Sequence, residues 1–351
     1  MLRFTHESLG QRVVFAPSDA ASAVAAEVSA LDASRVMLIA SDREAALADP
    51  IATGLPVALR HEEVVMHVPV PVAERARAAA AEADVDVIVT VGGGSTTGLG
   101  KAVALTTGLP VVSVPTTYAG SEATDVWGLT DGETKSTGVD ARVLPRSVVY
   151  DATLLTSLPA DLAVASGLNA LAHGVDAMWG PRADPIDAAL AGEAIRGLAE
   201  GLPVVAKDGS SLDGIEHTLY GAYLAAVAFA SAGSGLHHKI CHVLGGMFNL
   251  PHAQTHSVVL PHVLAFNAPH APDAERRIAA AFGTDTAVDG LAALRAAVDA
   301  PRALRDFGMP EDGIPKAVPP ILAAAPANNP TPLTEENLTA LLRAAWEGEH
   351  A

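Results

Sequence analysis

Histidine is concentrated in one short segment of this chain. Seven of its 13 histidines lie within 34 residues: His237, His238, His242, His252, His256, His262 and His270. For any single histidine a buried structural role is the ordinary expectation. Seven in so short a segment indicate a functional pocket, because imidazole binds metals and titrates near neutral pH.

The spacing of these side chains indicates what chemistry they do. His238 and His242 are four positions apart and share one helical face, and Asn169 and His173 have the same spacing on another predicted helix. The imidazoles of His173, His238 and His252 are of the type that binds zinc or iron, yet a catalytic metal site usually includes a carboxylate. Asn169 offers only a neutral amide oxygen. The sequence therefore predicts weak metal affinity, or an imidazole-lined pocket without metal.

A glycine-rich turn marks a second candidate site. The apolar run Asp86–Val91 precedes GGGSTTGLGK, which predicts a strand, a turn and a helix. Three glycines allow a diphosphate to approach the backbone, and the first helical amides add donors together with two hydroxyls; the residues are Gly92, Gly93, Gly94, Ser95 and Thr96. The spacing matches neither G-x-G-x-x-G nor a P-loop. A tight turn that binds nothing is the alternative.

Two further polar segments follow predicted strands. Asp42 is placed to accept hydrogen bonds from an adenosine ribose, which would favour NAD over NADP, although a helix N-cap with Ser41 is equally open. The segment PTTYAGSEAT is expected to hold a nicotinamide or a substrate through the hydroxyls of Thr116, Thr117, Tyr118 and Ser121. Composition alone does not distinguish this role from an ordinary polar loop.

The elements that position these residues fall into two classes. Short β-branched runs at 35–40, 85–91 and 111–114 alternate with Ala-rich helical stretches, which predicts a parallel, Rossmann-like sheet whose carboxyl ends meet at one crevice. After about Asp151 the helical pattern alone continues. We therefore predict an α/β nucleotide-binding domain at residues 1–152 and an all-α domain at 153–351.

Three details of the helical part follow from the same pattern. The longest uncharged stretch, Thr218–Leu236, is predicted to be one buried helix rather than a membrane span, because it is rich in Ala, Gly and Ser. A helix break is expected at Gly245–Gly246, and Pro251 is expected to restart a helix at His252.

Composition limits the partners. The formal net charge of -18 disfavours nucleic acid and anionic membranes, both of which need clustered Lys and Arg. A small anionic substrate remains possible, because screening over about 8 Å lets a few local donors outweigh distant acidic residues. One cysteine, Cys241, and the absence of an apolar leader in MLRFTHESLG lead us to expect a cytoplasmic protein.

Taken together, these segments resemble the iron-containing alcohol dehydrogenases, whose fold is shared with dehydroquinate synthase. The resemblance implies binding of NAD(P), a homodimer, and a position near the nicotinamide for His242. Carried over by motif, it also implies four metal-ligand positions, which are Asn169, His173, His238 and His252.

The departures from that family are specific. The usual GGGSxxDxAK is GGGSTTGLGK here, so that Gly98 and Gly100 replace Asp and Ala, and Asn169 replaces the first ligand Asp. With PTTYAGSE, VWGLTDGETKSTG and HHKICHVLGG, these changes resemble the maleylacetate reductase branch. That branch reduces the carbon–carbon double bond of 2-maleylacetate to 3-oxoadipate during aromatic catabolism. The resemblance implies NADH or NADPH as cofactor and no required metal, with weak zinc or iron binding left open.

For this reaction we expect His242 to donate a proton or stabilise an enolate oxygen, helped by His238, His252 or Tyr118. The two carboxylates of the dianionic substrate are expected to meet His173, His237 and Lys239.

Three other functions compete with this one. The first is a metal-dependent NAD(P) alcohol dehydrogenase that tolerates Asn169. The second is a relative that handles phosphorylated substrates, for which only Lys101 is offered near the glycine turn. The third is a metal-buffering module built on the histidine-rich segment.

Overall fold

The computed structural model describes residues 3–132 and 134–348, apart from the side chains of Thr134 and Lys135. Glu133, within the VWGLTDGETKSTG motif, lies outside the described residues. The chain divides into two compact units, one of Gly10–Leu158 and one of Met1–Leu9 with Pro159–Ala351. We call them the sheet unit and the helical unit.

The sheet unit is built on six parallel strands in the order β1-β8-β5-β4-β2-β3. The strands are β1 (Arg12–Phe15), β2 (Val36–Ile39), β3 (Val57–His61), β4 (Val87–Gly92), β5 (Val111–Pro115) and β8 (Ser147–Tyr150). An antiparallel hairpin of β6 (Val126–Asp131) and β7 (Thr134–Val139) lies outside this sheet. The helices are α1 (Ala20–Ala30), α2 (Ala45–Thr53), α3 (Val70–Glu82) and α4 (Gly94–Thr107).

The central strands are buried along their whole length, which is why their sequences are unbroken apolar runs. Side chains alternate between two faces: Leu38 packs in the cluster that contains α1 and α2, and Met37 packs in the cluster that contains α3 and α4. Strand β4 lies between β2 and β5 and is parallel to both. The predicted sheet, and the meeting of these three carboxyl ends, are confirmed.

Every regular element described in the helical unit is a helix, as predicted. The α-helices are α5 (Ala160–Ala177), α6 (Pro185–Lys207), α7 (Leu212–Ala232), α8 (Leu236–Phe248), α9 (His252–Asn267), α10 (Pro272–Phe282), α11 (Ala287–Ala297), α12 (Gly313–Ala324) and α13 (Glu335–Glu347). Helix α5 is buried from residue 163 to its end, because α6, α7 and α9 pack around it. A second core joins α8 and α9 to α12 and α13 through side chains such as Ile240, Val259 and Ile321.

Two expectations for the helical unit were wrong. The uncharged stretch is not one helix, because α7 ends before Gly233, where φ is 81°, and α8 begins at Leu236. The pair Gly245–Gly246 does not interrupt α8, which ends at Asn249 in the left-handed region with φ 50°. Glycine inside a helix costs about 1 kcal/mol but keeps its hydrogen bonds, so packing overrides it. The predicted restart at His252 is confirmed.

In residues 3–132 and 134–348, no single helix is long and apolar enough to cross a bilayer. Helices α7 and α8 pass that test only when they are taken together, and they are bent by 97° at the break between them.

Candidate active site

The glycine turn of the sheet unit is shaped by close contacts. A Cβ at Gly92, where φ is 155°, would lie 2.4 Å from Thr96 Oγ1, and one at Gly93 would lie 3.0 Å from Thr117 Cγ2. Helix α4 begins at once, and no side chain among the described residues caps it. Its first-turn amides are therefore left for an anionic ligand, with the half-buried Ser95 beside them.

The two glycines that depart from the family pattern have a packing explanation. A Cβ at Gly100 would lie 2.5 Å from Thr90 Cγ2, and one at Gly98 would lie 3.0 Å from Val68 Cγ2. Both positions therefore allow α4 to pack closely on its neighbours. The change at these positions follows from helix packing and requires no difference in phosphate binding.

The hydroxyl-bearing segment after β5 is tied to the glycine turn and to α4. The Thr116 N–H donates to the Gly92 carbonyl at 3.1 Å. The buried Lys101 ammonium donates to the carbonyls of Thr124 (2.7 Å) and Val126 (2.9 Å) and to Thr124 Oγ1 (3.1 Å). These three bonds use all the donors of Lys101, whose pKa burial lowers to about 7. Lys101 is thus an internal anchor rather than a phosphate ligand.

The other predicted side chains of this unit lie at the same edge of the sheet. Tyr118 is buried, and burial raises the pKa of its hydroxyl. Ser121 begins a short 3-10 helix, and Asp42 is exposed in another after β2. Ser41 donates to Glu44, so its hydroxyl is engaged without Asp42. The roles given to these residues remain predictions.

In the helical unit, one face of α5 presents three polar side chains in successive turns. Asn169, His173 and Asp176 are exposed by only 2%, 8% and 0%. Asn169 Oδ1 and His173 Nδ1 have no hydrogen-bond partner among the described residues. Burial lowers the pKa of His173 to about 4, which keeps its ring neutral near physiological pH. A buried polar atom without a hydrogen bond lowers the stability of a protein by roughly 1–3 kcal/mol, so two such atoms together indicate a place where a ligand binds.

His238 packs on this face from the first turn of α8. Its ring stacks on that of His173 with centroids 4.9 Å apart and an interplanar angle of 13°. Its Nδ1 lies 2.8 Å from Asp176 Oδ2, whereas its Nε2 is buried without a partner among the described residues. Asp176 was not predicted as a site residue, although Asn169, His173 and Asp176 follow the i, i+4, i+7 spacing of one helical face.

His256 was counted in the histidine-rich segment but given no role. Its ring lies 4.4 Å from that of His252 and 4.8 Å from that of His238. Its Nδ1 is 2.9 Å from His237 Nε2, and its own Nε2 lacks a partner among the described residues. His237 is thus buried behind His256, next to the Cys241 thiol at 3.7 Å. The i, i+4 spacing of His252 and His256 was the available signal.

The histidine cluster therefore consists of six residues, namely His173, His237, His238, His242, His252 and His256. His242 is half-buried and His252 is exposed, with their rings 6.4 Å apart, so these two form its accessible edge. Lys239 is half-buried on α8. The other histidines of the segment play no part, because His262 is buried beside Arg295 and His270 is exposed after α9.

Burial dominates the electrostatics of this cluster. It lowers the pKa of His237 to about 3 and those of His238 and His256 well below their ordinary value, with further lowering from neighbouring imidazoles. It also raises the pKa of the Asp176 carboxyl to about 7, despite the N–H groups that donate to it. The buried part of the cluster, His173, His237, His238 and His256, is therefore a set of neutral imidazoles with one carboxyl behind it.

Of the four positions carried over from the metal-binding family, the three histidines do not bring their described ligand atoms into one compact group. Among the described residues, two groups bring three ligand atoms within 4.8 Å of one another, and neither is that set. One is His6, Asp184 and Asp187; the other is His237, Cys241 and His256, where a hydrogen bond accounts for the proximity. Asn169 supplies no charge, and the Asp176 carboxylate is already occupied by N–H donors.

A parallel sheet with an uncapped glycine turn, in a chain that also carries a buried imidazole cluster, is typical of an oxidoreductase that binds a nucleotide. The family model for iron-containing alcohol dehydrogenase matches residues 11–152. A second family model, for the C-terminal part of the Fe-containing alcohol dehydrogenase family, matches residues 163–346. The chain belongs to the iron-containing alcohol dehydrogenase family.

Curated relatives cover almost the whole chain. Maleylacetate reductase of Sphingobium indicum is 43% identical over 99% of this chain and 98% of its own length. Maleylacetate reductase 2 of Cupriavidus pinatubonensis is 46% identical over 96% and 95%.

Solved structures agree in fold. The iron-containing alcohol dehydrogenase of Corynebacterium glutamicum has a TM-score of 0.98 at 58% identity and covers 99% of this chain and 98% of its own. Maleylacetate reductase from Rhizobium sp. strain MTP-10005 has a TM-score of 0.93 at 36% identity and covers all of both chains.

Proposed function

We propose that this chain is an NAD(P)H-dependent maleylacetate reductase, which reduces the carbon–carbon double bond of 2-maleylacetate to 3-oxoadipate. The observation that carries this proposal is the imidazole cluster that faces α5, the helix on which Asn169 stands where an alcohol dehydrogenase of this family would have a carboxylate. The full-length identity to maleylacetate reductases supports the same substrate.

The chemistry suits a site without a charged metal ligand. Bound NADH or NADPH would supply a hydride to the alkene carbon distant from the ketone and would leave as the oxidised cofactor, so that the π electrons move to the ketone oxygen as an enolate. A proton then adds to the neighbouring carbon. N–H donors stabilise the enolate, and an imidazole supplies the proton. His242, half-buried at the accessible edge, is our candidate for that donor.

In this proposal, the substrate carboxylates bind at the accessible edge of the histidine cluster. The exposed His252 and the half-buried Lys239 are the reachable groups, and His256 joins them through its unpaired Nε2. His173 keeps the role expected of it, because its Nδ1 also lacks a partner among the described residues. His237 does not contact the substrate in this proposal, because its Nε2 is engaged with His256. It supports His256 from the buried side of the cluster.

The cofactor is assigned to the sheet unit. The free amides at the start of α4, with Ser95 and Thr96, bind the diphosphate, and the exposed Asp42 accepts the ribose hydroxyls. A carboxylate at that position favours NADH, because it repels the phosphate of NADPH. The hydroxyls of Thr116, Thr117 and Ser121, with the buried Tyr118, line the remainder of the cofactor site.

A metal-dependent alcohol dehydrogenase is the second candidate, because a structure 58% identical to this chain carries the name iron-containing alcohol dehydrogenase. The deciding experiment mixes metal-stripped protein with NADH and freshly prepared 2-maleylacetate and follows the nicotinamide absorbance, with an aldehyde as the comparison substrate. Rapid oxidation of NADH with 2-maleylacetate alone supports the reductase and a turnover without metal. Activity that needs both an aldehyde and added iron or zinc overturns it.

The family resemblance also suggests where the enzyme acts and how it assembles. A cytoplasmic homodimer that serves aromatic catabolism, such as the hydroxyquinol pathway, fits the family. Light scattering of the purified chain should then give about twice its mass of 35.7 kDa. The net charge of -18 disfavours nucleic acid and anionic membranes, since the chain offers no excess of cations for phosphates, and it leaves a small dianionic substrate possible.

A further inference from the structure

The Asp176 carboxylate is enclosed by donors from its own unit. Its Oδ2 lies 2.8 Å from His238 Nδ1 and accepts from the Gly235 N–H at 2.9 Å and from the His238 N–H at 3.4 Å. Its Oδ1 accepts from Trp179 Nε1 at 3.3 Å. The side chain is fully buried, so neither oxygen is accessible to a substrate or a metal. Any catalytic effect of Asp176 must therefore pass through His238.

The backbone around Asp176 is adapted to this contact. The Gly235 that precedes α8 lies so close that a Cβ would be 2.3 Å from Asp176 Oδ1. The carboxylate thus meets the start of α8 directly and holds the first turn that carries His238. Phe229 packs against the His238 ring at a tilt of 36°, with centroids 4.2 Å apart, and it also contacts the His173 ring. The His238 ring is therefore held by two aromatic neighbours and by one hydrogen bond at its edge.

We propose that Asp176 is a positioning residue that fixes His238 with its proton on Nδ1 and leaves Nε2 for the substrate; the catalytic part of this inference rests on the reductase function proposed above. The Asp176 Oδ2 that faces the ring already accepts from two backbone N–H groups and so carries no proton, which makes the ring nitrogen the donor. Because Nδ1 donates whether the ring is neutral or protonated, Nε2 is the atom that exchanges a proton or hydrogen bond with a ligand.

Three unpaired atoms support a ligand at this place. His238 Nε2, Asn169 Oδ1 and His173 Nδ1 are all buried without partners among the described residues, and the His173 and His238 rings are in direct contact. A single accidental orphan is common, whereas three on packed neighbours indicate polar positions that a bound molecule completes. Asp176 therefore supplies a carboxylate to this site indirectly, through its contact with His238, whereas Asn169 supplies none.

The test combines a spectroscopic and a kinetic measurement. In ¹⁵N-histidine-labelled protein, the side-chain nitrogen shifts report which nitrogen carries the proton, and the signal lost in His238→Gln assigns His238. Asp176→Asn is then compared with wild type and with Asp187→Asn, a buried aspartate on α6 that accepts from the Asp184 N–H. Asp187→Asn controls for the loss of a buried carboxylate away from the cluster.

We expect Nδ1–H for His238 in wild type and a shift toward Nε2–H in Asp176→Asn. With 2-maleylacetate, kcat should fall about 10- to 100-fold in Asp176→Asn while KM changes little, and kcat should stay near wild type in Asp187→Asn. A wild-type His238 protonated on Nε2 alone overturns the proposal without any variant having to fold. An unchanged kcat in a folded Asp176→Asn also overturns it. Inactivity of the wild type toward 2-maleylacetate, with Nδ1–H observed, would reject the reductase function and leave the placement of His238 intact.

Discussion

The contact between Gly235 and Asp176 can be tested by adding one methyl group. Gly235 has φ -86° and ψ -167°, which any residue adopts, so Gly235→Ala introduces no backbone strain. Its new Cβ would lie 2.3 Å from Asp176 Oδ1, whereas ordinary contact begins at 3.4 Å. The carboxylate must therefore move by about 1 Å, and the 2.8 Å hydrogen bond to His238 Nδ1 is lost.

The magnitude follows from the bonds that are broken. Hydrogen bonds to a charged group contribute roughly 1.5–3 kcal/mol, so the free energy of unfolding should fall by about 2–3 kcal/mol. Because His238 also loses its fixed orientation, kcat with 2-maleylacetate should fall about 10- to 100-fold. Denaturant unfolding and the steady-state oxidation of NADH measure the two effects separately.

The matched control is Gly245→Ala on the same helix, α8. A Cβ there meets nothing within 4 Å, so kcat should not change and stability should rise by up to about 1 kcal/mol, because alanine favours a helix. If Gly235→Ala keeps the stability and the kcat of wild type, the contact between the start of α8 and Asp176 does not control His238, and the reasoning fails.

Three further predictions concern other parts of the molecule. Stability should fall as pH drops from about 6.5 toward 4, because His173 and His237, with folded pKa values of about 4 and 3, stay neutral while the unfolded chain takes up protons. At about pH 5.5 each contributes a loss of roughly 1.4 kcal/mol, partly offset by Asp176, and denaturant unfolding at several pH values measures the sum. A pH-independent unfolding free energy would contradict the neutral burial of these rings. Gly92→Ala should raise the Kd for NADH at least about tenfold, because its Cβ would lie 2.4 Å from Thr96 Oγ1 at a φ of 155°; titration calorimetry decides this, and unchanged binding would remove the turn from the cofactor site. His256→Asn should raise KM for 2-maleylacetate several-fold, since its unpaired Nε2 is assigned to the substrate, whereas an unaltered KM and kcat would mean that His256 only packs.

Much of this molecule was predictable from local sequence. The unbroken β-branched runs indicated the central parallel strands, because only strands covered on both faces are apolar throughout. The three glycines after β4 indicated the turn into α4, and the density of histidine indicated the cluster. The resemblance to the family added that Asn169 stands where a ligand Asp is usual, and the weak metal affinity expected from this change stays a prediction.

Other features depend on contacts that no local pattern encodes. The pairing of Asp176 with His238 joins residues 62 positions apart, and that of His237 with His256 arises where α8 and α9 pack side by side. The density of histidine in the sequence also did not distinguish the clustered histidines from His262 and His270. Helix packing decides which face each of these residues occupies. The sequence by itself determined which chemical groups the chain carries and which elements they lie on. Only the tertiary structure decided which groups meet, because the burial and hydrogen bonding that orient an imidazole come from side chains remote in sequence.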